Sequence, residues 1–108
     1  MIQITIEGFA GRARTAALQV EGHAGLATKG NDILCAAVSV LSENLGGGLK
    51  LLLKAPAKIQ ADNGLYRVEI PLEHSSDASE LLFQSAILGL RVLAEQYPDR
   101  IRIHQIET

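Results

Sequence analysis

The order of strand-like and helix-like segments constrains the fold of this chain more than any other feature of its sequence. Five segments alternate apolar and polar residues, as half-buried strands do: 2–7, 13–20, 58–61, 65–72 and 100–106. Two longer segments, 33 to about 53 and 77–97, repeat apolar residues at helical spacing. The order ββαββαβ predicts an α+β fold of two layers, in which two helices cover one face of a mostly antiparallel sheet. We expect a single domain over residues 1–108.

The composition fits a packed globular chain and argues against several function classes. Hydrophobic residues are 47% of the chain and aromatic residues only 4%, so we expect a core of Leu, Ile, Val and Ala. The formal charge is -2 without a basic run, which argues against a nucleic-acid-binding surface. A lone cysteine forms no internal disulfide, the apolar runs are too short for a membrane span, and the first residues lack signal-peptide architecture. These features predict a cytoplasmic protein.

Turn and cap residues mark the element boundaries. The Asn63-Gly64 pair predicts a tight hairpin, because both residue types tolerate positive φ. Asn31 or Asp32 is placed to cap the first helix, and Asp77 with Glu80 resembles a capping box at the start of the second. Three glycines at 46–48 either bend or end the first helix or admit a close approach of another backbone.

Cys35 is the strongest candidate for chemistry. We expect it in the first turn of the first helix, where unpaired N–H groups and the helix dipole stabilise a thiolate and an oxyanion. A helical wheel places it opposite a broad apolar arc, which contains Ile33, Ala36, Ala37, Val40, Leu41 and Leu45, with Leu34 and Val38 toward its edge. The same polar arc carries Ser39, Ser42 and Glu43, and Ser39 lies one turn beyond the cysteine. The alternative is a small buried thiol without reactivity.

His23 is the candidate partner of the thiol. It lies in a glycine-punctuated loop, 21–31, that we expect to be mobile and to close over a substrate. A histidine there either supplies and holds a proton or bonds only to the backbone. Asp32 either caps the helix or orients His23. His74 and His104 are expected to be solvated, and the spacing of Cys and His predicts no metal site.

The second helix is apolar on more than one stripe, and Gly89 permits close packing there. This pattern predicts a homodimer, unless the first helix covers the extra stripe.

The residues around His23 and Cys35 resemble those of the ribosomal-processing cysteine protease family, Prp. Residues 22–25 read Gly-His-Ala-Gly and residues 30–39 read Gly-Asn-Asp-Ile-Leu-Cys-Ala-Ala-Val-Ser, with Leu34 in place of the usual valine. The resemblance implies a cofactor-independent, homodimeric endopeptidase that removes a short N-terminal extension from a large-subunit ribosomal protein. It makes Cys35 and His23 catalytic and Asp32 and Ser39 supporting, and it assigns four residues to the substrate loop: Gly22, Ala24, Gly25 and Gly30.

Two other function classes stay open from the residues alone. A small thioesterase or amidase would need the same activated thiol, and a non-catalytic ribosome-associated factor would need none of this chemistry.

Overall fold

The computed structural model describes residues 1–22 and 29–107, with the backbone alone for residues 29–32. The strands are β1 (Ile2–Gly8), β2 (Thr15–Glu21), β3 (Lys58–Asp62), β4 (Leu65–Glu69) and β5 (Ile101–Glu107). The helices are α1 (Lys29–Gly47), which runs into a π-helical turn (Gly48–Leu52), and α2 (Asp77–Gln96), which follows a short 3-10 turn (Leu72–His74). The predicted order ββαββαβ is confirmed.

The strands form one sheet in the order β3-β4-β2-β1-β5. Three of the neighbouring pairs are antiparallel and β1 pairs with β5 in parallel, which confirms the mostly antiparallel sheet. The Asn63-Gly64 turn joins β3 to β4 as expected. Of these two residues only Gly64 uses positive φ, at 78°.

One face of the sheet and both helices enclose the core. β1 contributes every second residue, Ile2, Ile4 and Ile6, because successive side chains of a strand point to opposite faces. The helices contribute Leu34, Val38 and Leu45 from α1 and Phe83, Ile87 and Leu90 from α2. The core is therefore aliphatic apart from Phe83, close to the prediction from composition. None of the described helices is long and apolar enough to cross a membrane.

The predicted start of the first helix is wrong. α1 begins at Lys29, so Asn31 and Asp32 lie inside the helix and neither is its N-cap. At both ends the predicted loop 21–31 overlaps regular structure, because β2 extends to Glu21 and α1 begins at Lys29. The capping preferences of Asn and Asp favour a helix start without requiring one.

The start of α2 was predicted within one residue, but its capping box was assigned to the wrong side chains. Ser76 and Ser79 form the box: the Ser79 N–H donates to Ser76 Oγ at 3.0 Å and the Ser76 N–H donates to Ser79 Oγ at 2.8 Å. Asp77 instead pairs with Arg14 at 2.6 Å. Glu80 accepts hydrogen bonds from the Thr15 N–H and hydroxyl at 2.6 and 2.9 Å, which joins α2 to the start of β2.

The glycines at 46–48 change the type of helix without ending it. The α-helical pattern continues to Gly47, and the wider π-helical turn begins at Gly48. Side chains, rather than another backbone, approach this segment: a Cβ at Gly48 would lie 3.2 Å from Leu82 Cδ1.

The face of the sheet opposite the helices carries a polar network centred on Arg67. The Arg67 guanidinium donates to both carboxylate oxygens of Glu7, to Gln19 Oε1 at 3.1 Å and to Glu69 Oε2 at 3.1 Å. These bonds cross β1, β2 and β4, so they join the central strands of the sheet. Hydrogen bonding to Arg67 lowers the pKa of the Glu7 carboxyl, and burial opposes this effect only in part.

We predict that Glu7→Gln weakens the fold at neutral pH and not in acid. A carboxyl whose pKa is lowered by folding stabilises the native state above its unfolded pKa, and this contribution is lost as pH falls through the folded pKa. The variant should lose about 1–2 kcal/mol in free energy of unfolding at pH 7. This difference in free energy from the wild type should shrink as the pH falls below 4.5, the ordinary pKa of a glutamate carboxyl. Urea unfolding at several pH values measures it, with Glu95→Gln, an exposed residue of α2, as the control. A difference independent of pH would contradict the assignment.

Candidate active site

Cys35 lies in the second turn of α1 and not in the first turn, at the N-terminus of the helix. It is the seventh residue of the helix, six positions after Lys29. The first four N–H groups of a helix lack intrahelical partners, and the dipole effect fades within the first turn. The predicted first-turn position is therefore wrong, and terminal N–H groups of α1 do not lie at Cys35 to form the expected oxyanion site.

The core-facing side of α1 lies toward the edge of the predicted apolar arc and not at its centre. Leu34 and Val38 are buried, whereas Ile33 and Val40 are each 66% exposed. Apolar residues surround much of this helix, so the wheel alone did not identify the side that meets the sheet. Cys35 is half-buried and packs against the rim of the core.

Cys35 and Ser39 line one cleft of about 250 Å³, as their spacing of one helical turn predicts. Ser42 and Glu43 extend the same wall, so all the residues of the predicted polar arc meet here. Ser42 is nevertheless 1% exposed, and its hydroxyl donates to the Val38 carbonyl oxygen at 2.8 Å. Ser39 is exposed, so its hydroxyl is the one placed to meet a substrate.

The opposite wall comes from the sheet and the β3–β4 hairpin. It consists of Ile2, Val20, Gly22, Ala61, Asp62, Gly64, Leu65 and Tyr66. Sequence reasoning missed this wall. The Asn-Gly pair predicts the hairpin, but no local pattern predicts that the tip of the hairpin lies beside Cys35.

Gly22 connects this wall to the segment that begins with His23. Its N–H donates to the Gly64 carbonyl oxygen at 2.9 Å, and its φ is 90°. A Cβ at this position would lie 2.5 Å from the Met1 carbonyl oxygen, so the site requires glycine. Gly22, predicted as part of a substrate loop, is thus a fixed point at the cleft.

The other predicted site residues are only partly described. His23, Ala24 and Gly25, and with them the predicted mobility of the loop, lie outside the described residues. Gly30 and Asp32 lie in the first turn of α1, where the structure describes their backbone alone. His74 and His104 are exposed as predicted, and His104 Nε2 lies 2.8 Å from Gln3 Oε1. Among residues 1–22 and 29–107, no cluster of His, Cys, Asp or Glu has a composition suited to a metal ion.

Tyr66 fixes the shape of the cleft through its contact with α1. A Cβ at Gly46 would overlap the Tyr66 hydroxyl and lie 3.0 Å from Ile59 Cδ1, so the ring fits only because residue 46 has no side chain. Burial, and to a lesser extent the charge of Glu43, raises the pKa of Tyr66. The hydroxyl therefore stays protonated at neutral pH.

Comparison with known proteins identifies the family. The family model described as Cysteine protease Prp matches residues 1–102. The chain belongs to this family. A curated member, the ribosomal processing cysteine protease Prp of Staphylococcus aureus, is 28% identical over 86 residues, which cover 79% of this chain and 81% of the relative. Membership makes the protein a cysteine protease and favours peptide hydrolysis over the thioesterase, amidase and non-catalytic alternatives.

Solved structures share the fold over nearly the whole length. A Streptococcus mutans protein of known crystal structure has a TM-score of 0.86 and 33% identity, and the match covers 100% of this chain and 96% of that one. The Staphylococcus aureus Prp protease, crystallised with a substrate peptide, has a TM-score of 0.84 and 21% identity, with 97% and 99% coverage. The expected two-layer α+β architecture is thus the architecture of this family.

We predict that Gly46→Ala and Gly47→Ala have opposite effects. The first forces Tyr66 out of its contact and should lower the free energy of unfolding by about 1–3 kcal/mol, as overpacking does. The second meets no atom within 4 Å and should be neutral or stabilising by up to about 1 kcal/mol, the helix preference for alanine. Urea unfolding compares the two variants, and a spectrophotometric titration of tyrosine follows the pKa of Tyr66. Equal effects in both variants would show that the Tyr66 contact does not require glycine.

Proposed function

We propose that this protein removes a short N-terminal extension from a large-subunit ribosomal protein, with Cys35 as nucleophile and His23 as its acid–base partner. The observation that carries the proposal is the shared cleft, which is lined by both Cys35 and Gly22, the residue joined by a peptide bond to His23. The Staphylococcus aureus relative is a ribosomal processing cysteine protease, which supports the substrate class. All of residues 1–108 form the protease domain, and the reaction takes place in the cytoplasm, where ribosomes are assembled.

The reaction needs a thiolate, and the position of Cys35 makes its partner essential. Cys35 lies beyond the first turn of α1, so the groups that assist it must come from other side chains of the cleft. His23 accepts the thiol proton, and the sulfur attacks the carbonyl carbon of the scissile peptide. His23 then donates that proton to the leaving amine, which departs and leaves a thioester on Cys35. Water, deprotonated by His23, hydrolyses the thioester and restores the thiol.

Two further residues support this chemistry. The Cys35 N–H lies within α1, so a donor to the developing oxyanion must come from elsewhere. The exposed Ser39 hydroxyl, one turn beyond the thiol in the same cleft, is placed for that role. Asp32 orients His23, and Gly22, Ala24, Gly25 and Gly30 let the loop fold over the peptide.

The protein acts as a homodimer that forms through the apolar groove between α1 and α2. Gly89 itself is covered by α1, since a Cβ there would lie 2.8 Å from Leu41 Cδ2. Val40, Leu88 and Val92 line the same groove and stay 66%, 66% and 46% exposed. The first helix therefore covers part of the extra apolar stripe of α2, and a second copy of the chain covers the rest.

We predict that Cys35→Ser and His23→Ala both abolish cleavage but differ in thiol chemistry. The substrate is a peptide spanning the N-terminal segment of the host ribosomal protein, and mass spectrometry locates the cut. Iodoacetamide alkylation needs no proton for a leaving group, so Cys35 should still react in His23→Ala, more slowly than in the wild type at neutral pH. Because Cys35 is the single cysteine, alkylation reports this thiol alone.

His74→Ala, which removes an exposed histidine from the 3-10 turn, is the matched control and should behave as the wild type. Identical pH–rate profiles of alkylation for wild type and His23→Ala would refute the pairing. Undiminished cleavage by Cys35→Ala would refute the nucleophile.

We predict that Leu88→Glu converts the dimer into a monomer. A charge in the groove must be buried on association, at a cost that an interface of this kind does not offset. Sedimentation velocity gives the mass of each species. Leu52→Glu, at a leucine that is 76% exposed in the π-helical turn, is the control and should stay dimeric. A wild type that sediments as a monomer at assay concentration would exclude the dimer, and a reversed pattern of the two variants would exclude this face.

A further inference from the structure

The charged side chains of the Cys35 cleft all carry the same sign. Apart from the Cys35 thiol and the Tyr66 hydroxyl, only Glu43 and Asp62 among its described lining residues have an acidic or basic side chain, and both are carboxylates. They belong to the two walls: Glu43 to α1 and Asp62 to the end of β3. Both residues are exposed, so both can meet a substrate that enters from solvent.

Neither carboxylate is neutralised by a cation of the described residues. The ion pairs found there join Arg14 to Asp77, Lys58 to Glu69, and Arg67 to Glu7 and Glu69. Asp62 accepts one hydrogen bond, from the neutral Gln60 amide at 3.1 Å. Burial, and after it the charge of Glu43, raises the pKa of Tyr66, which lines the same cleft as Glu43. The described part of the cleft therefore has a negative potential that no basic side chain of the described residues cancels.

The helix sets the distance between this charge and the thiol. Cys35, Ser39 and Glu43 follow one another at intervals of four residues on the same side of α1. Eight residues of α-helix rise ~12 Å, and an extended peptide covers that length in about three to four residues. A substrate side chain that contacts Glu43 therefore belongs to a residue three to four positions from the peptide bond held at Cys35.

We propose that Glu43 and Asp62 are specificity-determining residues that select peptides with a lysine or arginine near the cleaved bond, three to four residues away where the contact is with Glu43. The inference rests on the proposed cleavage at Cys35, and it adds the charge of the substrate. The carboxylates do not form a binding site by themselves. They add negative charge to a cleft that we assign as a peptide site on other grounds, namely the thiol and the membership of the protease family. Exposed charge pairs contribute modestly and are screened by salt, so the preference is a matter of several-fold.

The test compares lysine with acetyl-lysine, which keeps the stem and removes the charge. A peptide series carries one or the other at each position within five residues on both sides of the cleaved bond. For the wild type at low salt we expect kcat/KM to be about 3–10-fold higher with lysine three to four residues from the bond, and the ratio to fall toward one at high salt.

The matched variants are Glu43→Gln and Asp62→Asn, singly and together, with Glu95→Gln as the control on α2. The double variant should lose the preference and still cleave the acetyl-lysine peptides, whereas the control should keep it. A wild type without the preference, or a double variant that retains it, overturns the inference.

A binding measurement separates this inference from the proposed catalysis. Fluorescence anisotropy of the same peptides on Cys35→Ser needs no turnover, and it should show the same several-fold preference for lysine. If the wild type cleaves none of the peptides but Cys35→Ser shows that preference, the cleavage proposal fails and the charge selection stands. Equal binding of both peptide types would overturn the charge selection whatever the result of the cleavage assay.

Discussion

The packing of α1 against the sheet determines where the thiol lies. Leu34 and Val38 enter the core, and Cys35 and Ser39 each follow one of them by a single residue. A helix turns by about 100° per residue, so this offset places the thiol and the hydroxyl at the border of the core. A rotation of α1 by one residue would bury the thiol or move it away from the hairpin. The aliphatic contacts of Leu34 and Val38 are therefore part of the active-site geometry.

β1 was predictable because its residues alternate between a buried and a half-exposed face, which leaves a clear alternation in the sequence. β2 begins with four consecutive buried residues, so its apolar content and the turn residues before it identified it instead. The helix starts were less predictable because cap residues compete with tertiary contacts. Asp77 and Glu80 have the sequence of a cap, yet they bind Arg14 and Thr15, 63 and 65 positions away. The two serines next to them were free to form the box. A pattern over four residues contains no information about such distant partners.

The candidate site was predictable along one helix and not across the molecule. The spacing of Cys35 and Ser39 was enough to predict that they share a surface, and the cleft confirms it. The facing wall depends on where the β3–β4 hairpin packs, which no local pattern specifies. The sequence shows Gly46 as part of an interruption of the helical pattern. The reason for a glycine at this position is the ring of Tyr66, which lies 20 residues later. The role of His23 came from the motif alone and stays a prediction.

The contact between Gly22 and Met1 has a practical consequence for anyone who handles this protein. The Met1 carbonyl oxygen lies against the glycine that precedes His23, and Ile2 lines the cleft itself. An affinity tag fused before Met1 would emerge from the protein next to the Cys35 thiol. Because the tag is tethered there, its effective concentration at the cleft is on the order of millimolar. It would then compete with weakly binding peptides. Glu107 pairs with Gly8 at the other end of β1, about 20 Å away by the rise of a strand, so a tag fused after β5 avoids this interference.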